Sequence, residues 1–445
     1  MAQRPRALPM LIAGLVLAIG VSAARAAEIS VRPGAGNLAA AIAQAAAGDR
    51  LVLAPGVHHG GVVIEKPLTL RGESGSVVDA GGTGTAIKIL SPDVSVQGLT
   101  IRGSGTRGEN FDSGLYLEQG ADRASIEDNR LEGNLFGIVL HGTKSAAVRN
   151  NFISNRSDLW PNDRGNGIHI WNNGGTLIEG NHVTSGRDGI YIEASHRNVI
   201  RGNRFDGLRF AIHYMYANNN EITDNISIRN RVGFALMYSK NLKVYRNLSV
   251  ADLNHGLMLH TTYKSDIAQN YVYGTGEKGL FVYTSAGNSI RDNRFEQCGI
   301  GVHFTGGSEN NTLYGNSFLA NEFQVKYTGM RTYEWSHKGR GNYWSDNPAF
   351  DLDGDGVADS AYRPNTLVDW VLWRYPLAKL LIASPAIRTL RFVQEQLPTL
   401  YPGGAVDSFP LMTPGSPPVA IPAGLDLTPA PRDPAQAGSD SRPIM

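Results

Sequence analysis

Along the middle of the chain, a glycine, an aliphatic residue, any residue and a second aliphatic residue recur at nearly constant intervals. The pattern runs Gly114-Leu115-Tyr116-Leu117, Gly137-Ile138-Val139-Leu140, Gly167-Ile168-His169-Ile170 and Gly189-Ile190-Tyr191-Ile192, and continues through Ala211, Gly233, Gly256, Gly279 and Gly301. Successive steps are 23, 30, 22, 22, 22, 23, 23 and 22 residues. A second signature keeps step with it: Ile126-Glu127-Asp128-Asn129, Ile178-Glu179-Gly180-Asn181, Ile200-Arg201-Gly202-Asn203 and onward to Leu313-Tyr314-Gly315-Asn316. Each period therefore holds two short alternating segments separated by turn residues, neither long enough nor spaced for a helix. A fixed period of this length marks a repeat architecture. Leucine-rich repeats share the period and the asparagine, but their leucine-built return segment is missing.

The pattern predicts an all-β fold, a right-handed single-stranded parallel β-helix with about 22 to 23 residues per coil, capped by an N-terminal helix and followed by a C-terminal helical extension. Residues one and three after each glycine should point inward and stack on their counterparts about 4.8 Å away in the next coil. The recurrent asparagine should sit at a bend and pair with the asparagines above and below, a structural ladder rather than a chemical site.

Residues 28 to 110 read as less regular first coils, with strand-like runs at Leu51–Leu53, Val62–Ile64, Leu68–Leu70, Ile87–Ile89 and Leu99–Ile101. The alanine-rich Leu38–Ala47 reads as the helix that closes the open end. The single long step implies an insertion of about eight residues within Arg156–Arg164, around Trp160-Pro161; such a loop serves recognition or is simply tolerated at the surface. Residues 1–26 read as a cleaved secretory signal, with Arg4 and Arg6, an apolar Leu11–Val21 and Ala24-Arg25-Ala26, which implies an exported protein. Its removal leaves 38 basic against 40 acidic side chains, a net charge of −2 that gives no support to nucleic-acid binding. Cys298 is the only cysteine, so no internal disulfide can form, and it reads as a small buried hydrophobe.

Chemistry should be sought two and four positions after each glycine, on the outward face. One outward column runs Tyr116, Val139, His169, Tyr191, His213, Ala235, Met258, Phe281, His303; its neighbour runs Glu118, His141, Trp171, Glu193, Met215, Met237, His260, Tyr283, Thr305. Three consecutive coils thus bring together His213, Met215, Met237, Met258 and His260, a soft thioether and imidazole set suited to transiently bound Cu(I). The alternative is an apolar stripe covered by a loop or a partner. A rival class is a β-helix lyase or epimerase acting on acidic polysaccharide, which needs carboxylates held together. Glu118 and Glu193 lie three coils, about 14 Å, apart, Asp188 could approach Glu193, and the Asp-Pro-His-Asp signature of alginate epimerases is missing.

After the repeat, taken to span 27–345, come three segments. In 346–365, Asp351, Asp353, Asp355 and Asp359 stand at positions 1, 3, 5 and 9 of a calcium-type loop with glycine at 6, but Tyr362 replaces the glutamate at 12; a structural Ca²⁺ site and a metal-free acidic turn both remain open. Residues 366–398 read as helical, with Ser384 as cap and Pro385 as first helical residue. Trp370, Trp373, Tyr375, Leu380 and Leu381 make this segment apolar enough either to plug the end of the coil or to bind a partner. Residues 399–445 read as a proline-rich extended tail, disordered from Thr413 on.

Gly341-Asn342-Tyr343-Trp344-Ser345-Asp346, the acidic loop, Leu367-Val368-Asp369, Trp373-Arg374-Tyr375-Pro376-Leu377-Ala378-Lys379, Val406-Asp407-Ser408 and Pro410-Leu411 resemble the NosD family of periplasmic nitrous oxide reductase maturation proteins. The resemblance covers nearly the whole chain, and its C-terminal run is far more specific than the repeat. It implies a copper-binding accessory protein without enzymatic activity, coupled to an ABC transporter made of a membrane subunit and its ATPase. That protein would help assemble the copper-sulfur centre of nitrous oxide reductase, with a copper chaperone as a further partner. No individual ligand is carried over; the histidine and methionine patch comes from register alone.

Overall fold

The computed structural model describes residues 26–328, 331–397 and 403–431; all but the last residue of the expected secretory signal lie outside these. The chain winds into a parallel β-solenoid of about 14 turns. Its walls are three sheets of 13, 12 and 13 strands, in which each strand pairs with its counterpart in the next coil. A regular coil supplies three strands, for example Ser125–Glu127, Arg130–Glu132 and Phe136–His141. The two-segment expectation missed one of them because only two residues, Asp128 and Asn129, separate the first strand from the second. Asp128 has φ 55, and at each bend of this kind it is the residue before the asparagine that turns left-handed: Asn150, Gly180, Gly202, Asp224. The asparagine itself does the bonding.

That bonding forms a continuous buried ladder. Asn151 Oδ1 accepts from the backbone N–H and the amide of Asn129 at 3.0 and 3.1 Å, and the arrangement repeats through Asn181, Asn203, Asn225, Asn247, Asn270, Asn293 and Asn316 to Asn342. The ladder satisfies backbone groups that each bend would otherwise leave unpaired in the interior. It ends on Asp407, whose Oδ2 accepts from the Asn342 N–H at 2.7 Å and from Trp344 Nε1 at 2.9 Å. Burial pushes the Asp407 carboxyl up to about 6 despite these bonds.

The repeating glycine answers to space rather than to backbone conformation. Gly189 has no left-handed φ, yet a Cβ there would lie 2.3 Å from the Phe205 ring and 2.5 Å from the Ala211 carbonyl oxygen. Inside, the predicted aliphatic columns stand in register, Leu115 on Ile138, Ile138 on Ile168 and Ile168 on Ile190, all fully buried. Cys298 is buried with them. At the N-terminal end the helix Asn37–Gln44 sets Leu38 and Ile42 into the core.

At the far end one of the two open readings of the helical segment, the plug, is not what the structure shows. An aromatic stack, not the helical segment, closes that end: Phe318 lies 4.4 Å from Trp344 with rings 7° apart, Tyr362 follows at 4.9 Å, and Trp335 is buried beside them. The Tyr362 hydroxyl donates to Asp346 at 2.7 Å, so the Gly341–Asp346 motif and Asp407 together form the C-terminal cap. The helix Leu367–Arg374 opens with a capping box between Thr366 and Asp369 and packs on the helix Pro385–Gln396, which Ser384 caps as expected. The tail also departs from expectation. Through residue 431 it runs back along the outside of the third sheet: Gly415 is bonded to Ser317, Asp426 pairs with Arg229, and Ala430 donates to the Gly274 carbonyl at 2.8 Å. Ala430, Val419, Ile421 and Leu425 cover Leu248, Val250 and Tyr271, which supplies the apolar burial that its composition alone did not promise.

Candidate functional site: the outward face of the second sheet

The glycine-led strands form the 12-stranded sheet, and their outward side chains stack as the register demands. Met215 pairs with Met237, and Met237 with His260, so these three occupy consecutive rungs of one column. Met258 stands in the adjoining column beside Ala235. Although they project away from the interior, Met237, Met258 and His260 are 7, 6 and 8% exposed. With Phe210, Val232, Ala235 and Phe281 the methionines make a small outer core, which Met215 and Tyr238 edge. His260 lies between the rings of Tyr238 and Tyr283, at 5.0 and 4.8 Å. Its Nδ1 is buried without a hydrogen-bond partner, and burial holds its pKa below the ordinary histidine value. A neutral imidazole with an orphaned nitrogen beside two thioethers is a donor set for a soft ion.

His213 belongs to the same face but is turned the other way. Its Nδ1 lies 3.1 Å from Asp188 Oδ2, and Asp188 is itself fully buried and held by a bidentate pair of bonds from Arg209 at 2.8 and 2.7 Å. Burial opposes the charge on Asp188, but the Arg209 and His213 bonds keep its carboxyl below the usual range. A carboxylate holding one ring nitrogen fixes the tautomer and leaves Nε2 to face a ligand. The structure therefore groups Met215, Met237, Met258 and His260, and places His213 at their margin. Asp188 was read in the sequence only as a possible neighbour of Glu193, yet its position before Gly189 put it on the outward face.

Two further histidines lie on this face: His255, outside the two predicted columns, and His303, the last member of the first column. His255, in the strand His255–His260, is buried with its Nδ1 making no hydrogen bond, 3.8 Å from Glu277 Oε2, and burial drives its pKa down to about 3. His303 is 2% exposed with neither ring nitrogen bonded, its pKa held far down by burial and then by Lys278 and Lys326. The position just before each glycine, which carries His255, also points outward and was not counted as a column. The carboxylates needed for sugar chemistry are otherwise engaged: Glu118 pairs with Lys88, Glu193 accepts from the Tyr191 hydroxyl at 3.0 Å, and Asp188 is locked as described.

Beyond the coil, Asp351, Asp353 and Asp355 gather their carboxylate oxygens within 4.8 Å of one another. Asp359 is not among them; its Oδ2 accepts from the Leu352 N–H. Asp351 takes the N–H groups of Gly354 and Gly356, which hold its carboxyl below the ordinary value. On the helical segment Trp370, Tyr375, Leu380 and Leu381 are half to largely exposed, while Val368 and Leu372 are buried. The side chain of Trp373 lies outside those described.

A family model described as "Periplasmic copper-binding protein (NosD)" matches residues 150–349, the part of the coil that carries this face. The chain is 44% identical over 82% of its length to the "Probable ABC transporter binding protein NosD" of Stutzerimonas stutzeri, covering 87% of that protein. It is 43% identical over 92% of its length to the protein of the same name from Pseudomonas aeruginosa, covering 95% of it. This chain belongs to the NosD family. Those NosD relatives are named as binding proteins, not as enzymes. Among solved structures, the receptor-binding tailspike of bacteriophage Det7 superposes with a TM-score of 0.51 at 10% identity, over 75% of this chain and 80% of that one, a likeness of fold alone. Among the described residues of this NosD chain, no helix is long and apolar enough to cross a membrane.

Proposed function

We propose that this NosD protein receives Cu(I) on the outward face of its second sheet and hands it on during assembly of the copper-sulfur centre of nitrous oxide reductase. The observation that carries the reading is the Met215, Met237, His260 column on the side of the sheet that faces away from the core, in which Met237 and His260 are buried and one imidazole nitrogen makes no hydrogen bond. Copper is cargo here. Met215, Met237 and Met258 supply thioethers, His260 supplies a neutral nitrogen, and His213, oriented by Asp188, completes the set from the edge. Soft donors on an outer face suit exchange, because an incoming protein's ligands can engage the ion before the first set lets go. A copper chaperone would deliver to this face and the reductase would receive from it.

The exposed Trp370, Tyr375, Leu380 and Leu381 are the surface we assign to the membrane subunit of an ABC transporter, which works with its ATPase. Trp373 is assigned to the same surface from its place in the helix. The acidic loop is assigned a structural Ca²⁺, held by Asp351, Asp353 and Asp355 with Asp359 closing the loop through the backbone. Calorimetric titration that detects no Ca²⁺ binding would remove that site.

Deleting the gene and measuring the copper content and activity of nitrous oxide reductase tests the main reading. Loss of the copper-sulfur centre, restored by the full chain but not by a chain lacking 367–397, is the expected result. A fully assembled centre in the deletion strain overturns it.

A further inference from the structure

Three coils toward the N-terminus from the methionine patch, the same face carries a second pair of imidazoles. His141 and His169 sit diagonally on neighbouring strands, their ring centroids 6.0 Å apart. One nitrogen of each is already fixed: His141 Nδ1 by the Tyr116 hydroxyl at 2.7 Å, and His169 Nδ1 by the Asn166 side chain at 3.1 Å. The other nitrogen of each ring remains to meet a ligand. One ion bound by a nitrogen of each ring at about 2 Å requires centroids roughly 6 Å apart.

The solenoid spends its two large insertions here. The connection from the third sheet to the second takes three residues in a regular coil, 133–135, but ten at 103–112. Near the end of that loop stands Phe111, whose ring lies 4.9 Å from both His141 and His169. Phe111 has φ 53, a backbone state that a bulky residue adopts only where packing enforces it. The second insertion, within 156–164, sends Leu159 onto the Leu135, Phe136, Val139 cluster, against which Phe111 and Tyr116 also pack. Trp171 closes the other side, 5.0 Å from His141. Two loops from different coils thus converge on this part of the face, Phe111 on the histidine pair and Leu159 on the apolar cluster beside it.

We infer that His141 and His169 form a second Cu(I) site, roofed by Phe111 and separate from the methionine patch. The inference rests on the copper reading of this face. Two imidazoles under aromatic walls suit a soft ion of low coordination number, whereas a hard dication calls for oxygen ligands and retained water. Tyr191 and His213 lie between the two sites, with Tyr191 5.1 Å from the rings of both His169 and His213, so the face presents two stations along one line.

The test is anaerobic titration of the purified full chain with Cu(I) against a chromophoric Cu(I) chelator. The wild-type protein should bind two equivalents, the His141→Gln/His169→Gln variant one, and the Met215→Ala/Met237→Ala/His260→Ala variant the other one. Two equivalents retained by the histidine variant overturn the second site. A wild-type stoichiometry of one, lost only with the methionine variant, also overturns it and leaves the patch intact. Loss of one equivalent with the histidine variant alone supports it while removing the patch. Phe111→Ala keeps both ligands and covers the case in which the double variant misfolds. It should retain two equivalents and release one of them at least tenfold faster to excess chelator, and unchanged release overturns the site.

Discussion

The outward faces of the first and second sheets hang on the same coils with the same period, yet they are built oppositely. On the first sheet, Glu127, Arg149, Glu179 and Arg201 occupy consecutive rungs and alternate in sign, with contacts of 2.7, 3.6 and 2.6 Å. These side chains are between 30 and 50% exposed. That is how a solenoid ordinarily keeps a sheet face soluble: opposite charges lie opposite one another and remain in water. On the second sheet, Met215 stands on the coil of Arg201 and Met237 and His260 on the next two; Met237 and His260 are almost withdrawn from water, Met215 is half-buried, and His260 Nδ1 is left unbonded. The fold asks for neither arrangement in particular. A face that could have been charged and is instead soft and orphaned points to a ligand.

The sharpest way to break this contrast is to exchange the consequences of mutation. Met215→Ala/Met237→Ala/His260→Ala should weaken Cu(I) binding at the patch about a thousandfold, or about 4 kcal/mol. Removing Glu127, Arg149 and Arg201 together should leave it unchanged. Competition with a chelator of known affinity reads both, and an equal loss in the two variants would mean that the faces are not functionally distinct.

Both faces depend on the asparagine ladder, and Asp407, where it ends, offers the next largest effect. Its carboxyl titrates at about 6 in the fold against 3.8 in its ordinary state, so between those values the folded protein keeps a proton that the unfolded chain releases. Stability should therefore fall as pH rises from about 4 to about 6 and be level above, by no more than about 3 kcal/mol. Asp407→Asn should lack this component when urea midpoints are compared at pH 4 and pH 7. A wild-type slope retained in the variant would assign the proton elsewhere.

The repeat told more about the fold than about the site, for a physical reason. Each inward position repeats a demand that every coil imposes, so Leu115, Ile138, Ile168 and Ile190 report it many times over. The bend at Asp128 and Asn129 is too short to interrupt an alternating pattern, so the strand after it was read as part of the one before. For the site, register alone placed Met215, Met237 and His260 together, because position in the period fixes the rung. It could not reveal that Asp188 holds His213, since that bond depends on a rotamer, nor that Phe111 reaches His141 and His169, since loop 103–112 obeys no period. The tail misled for the converse reason: proline and alanine promise little burial on their own, but Ala430 and Ile421 found Leu248 and Tyr271 waiting on the third sheet.

The core that both faces share can be probed at Gly189. Gly189→Ala forces a methyl against the Phe205 ring and the Ala211 carbonyl and should cost about 1–3 kcal/mol, read as a lowered urea midpoint. Its effect on Cu(I) affinity in the folded protein should be far smaller. A large loss of affinity at unchanged stability would show that the outer face is tuned through the interior rather than built on its own side of the sheet.

The smallest expected effect completes the contrast from the charged side. Glu179 accepts from Arg201 and lies near Arg149, but all three side chains reach solvent, where the gain from pairing is offset by hydration and by the entropy of holding long side chains. Glu179→Gln should cost less than about 1 kcal/mol, and the cost should shrink further in concentrated salt as the charges are screened. Chemical denaturation at two ionic strengths measures it. A loss of several kcal/mol that ignores salt would mean that this row of charges carries the coil much as the buried asparagines do, and the two faces would then differ in chemistry but not in how much of the fold each supports.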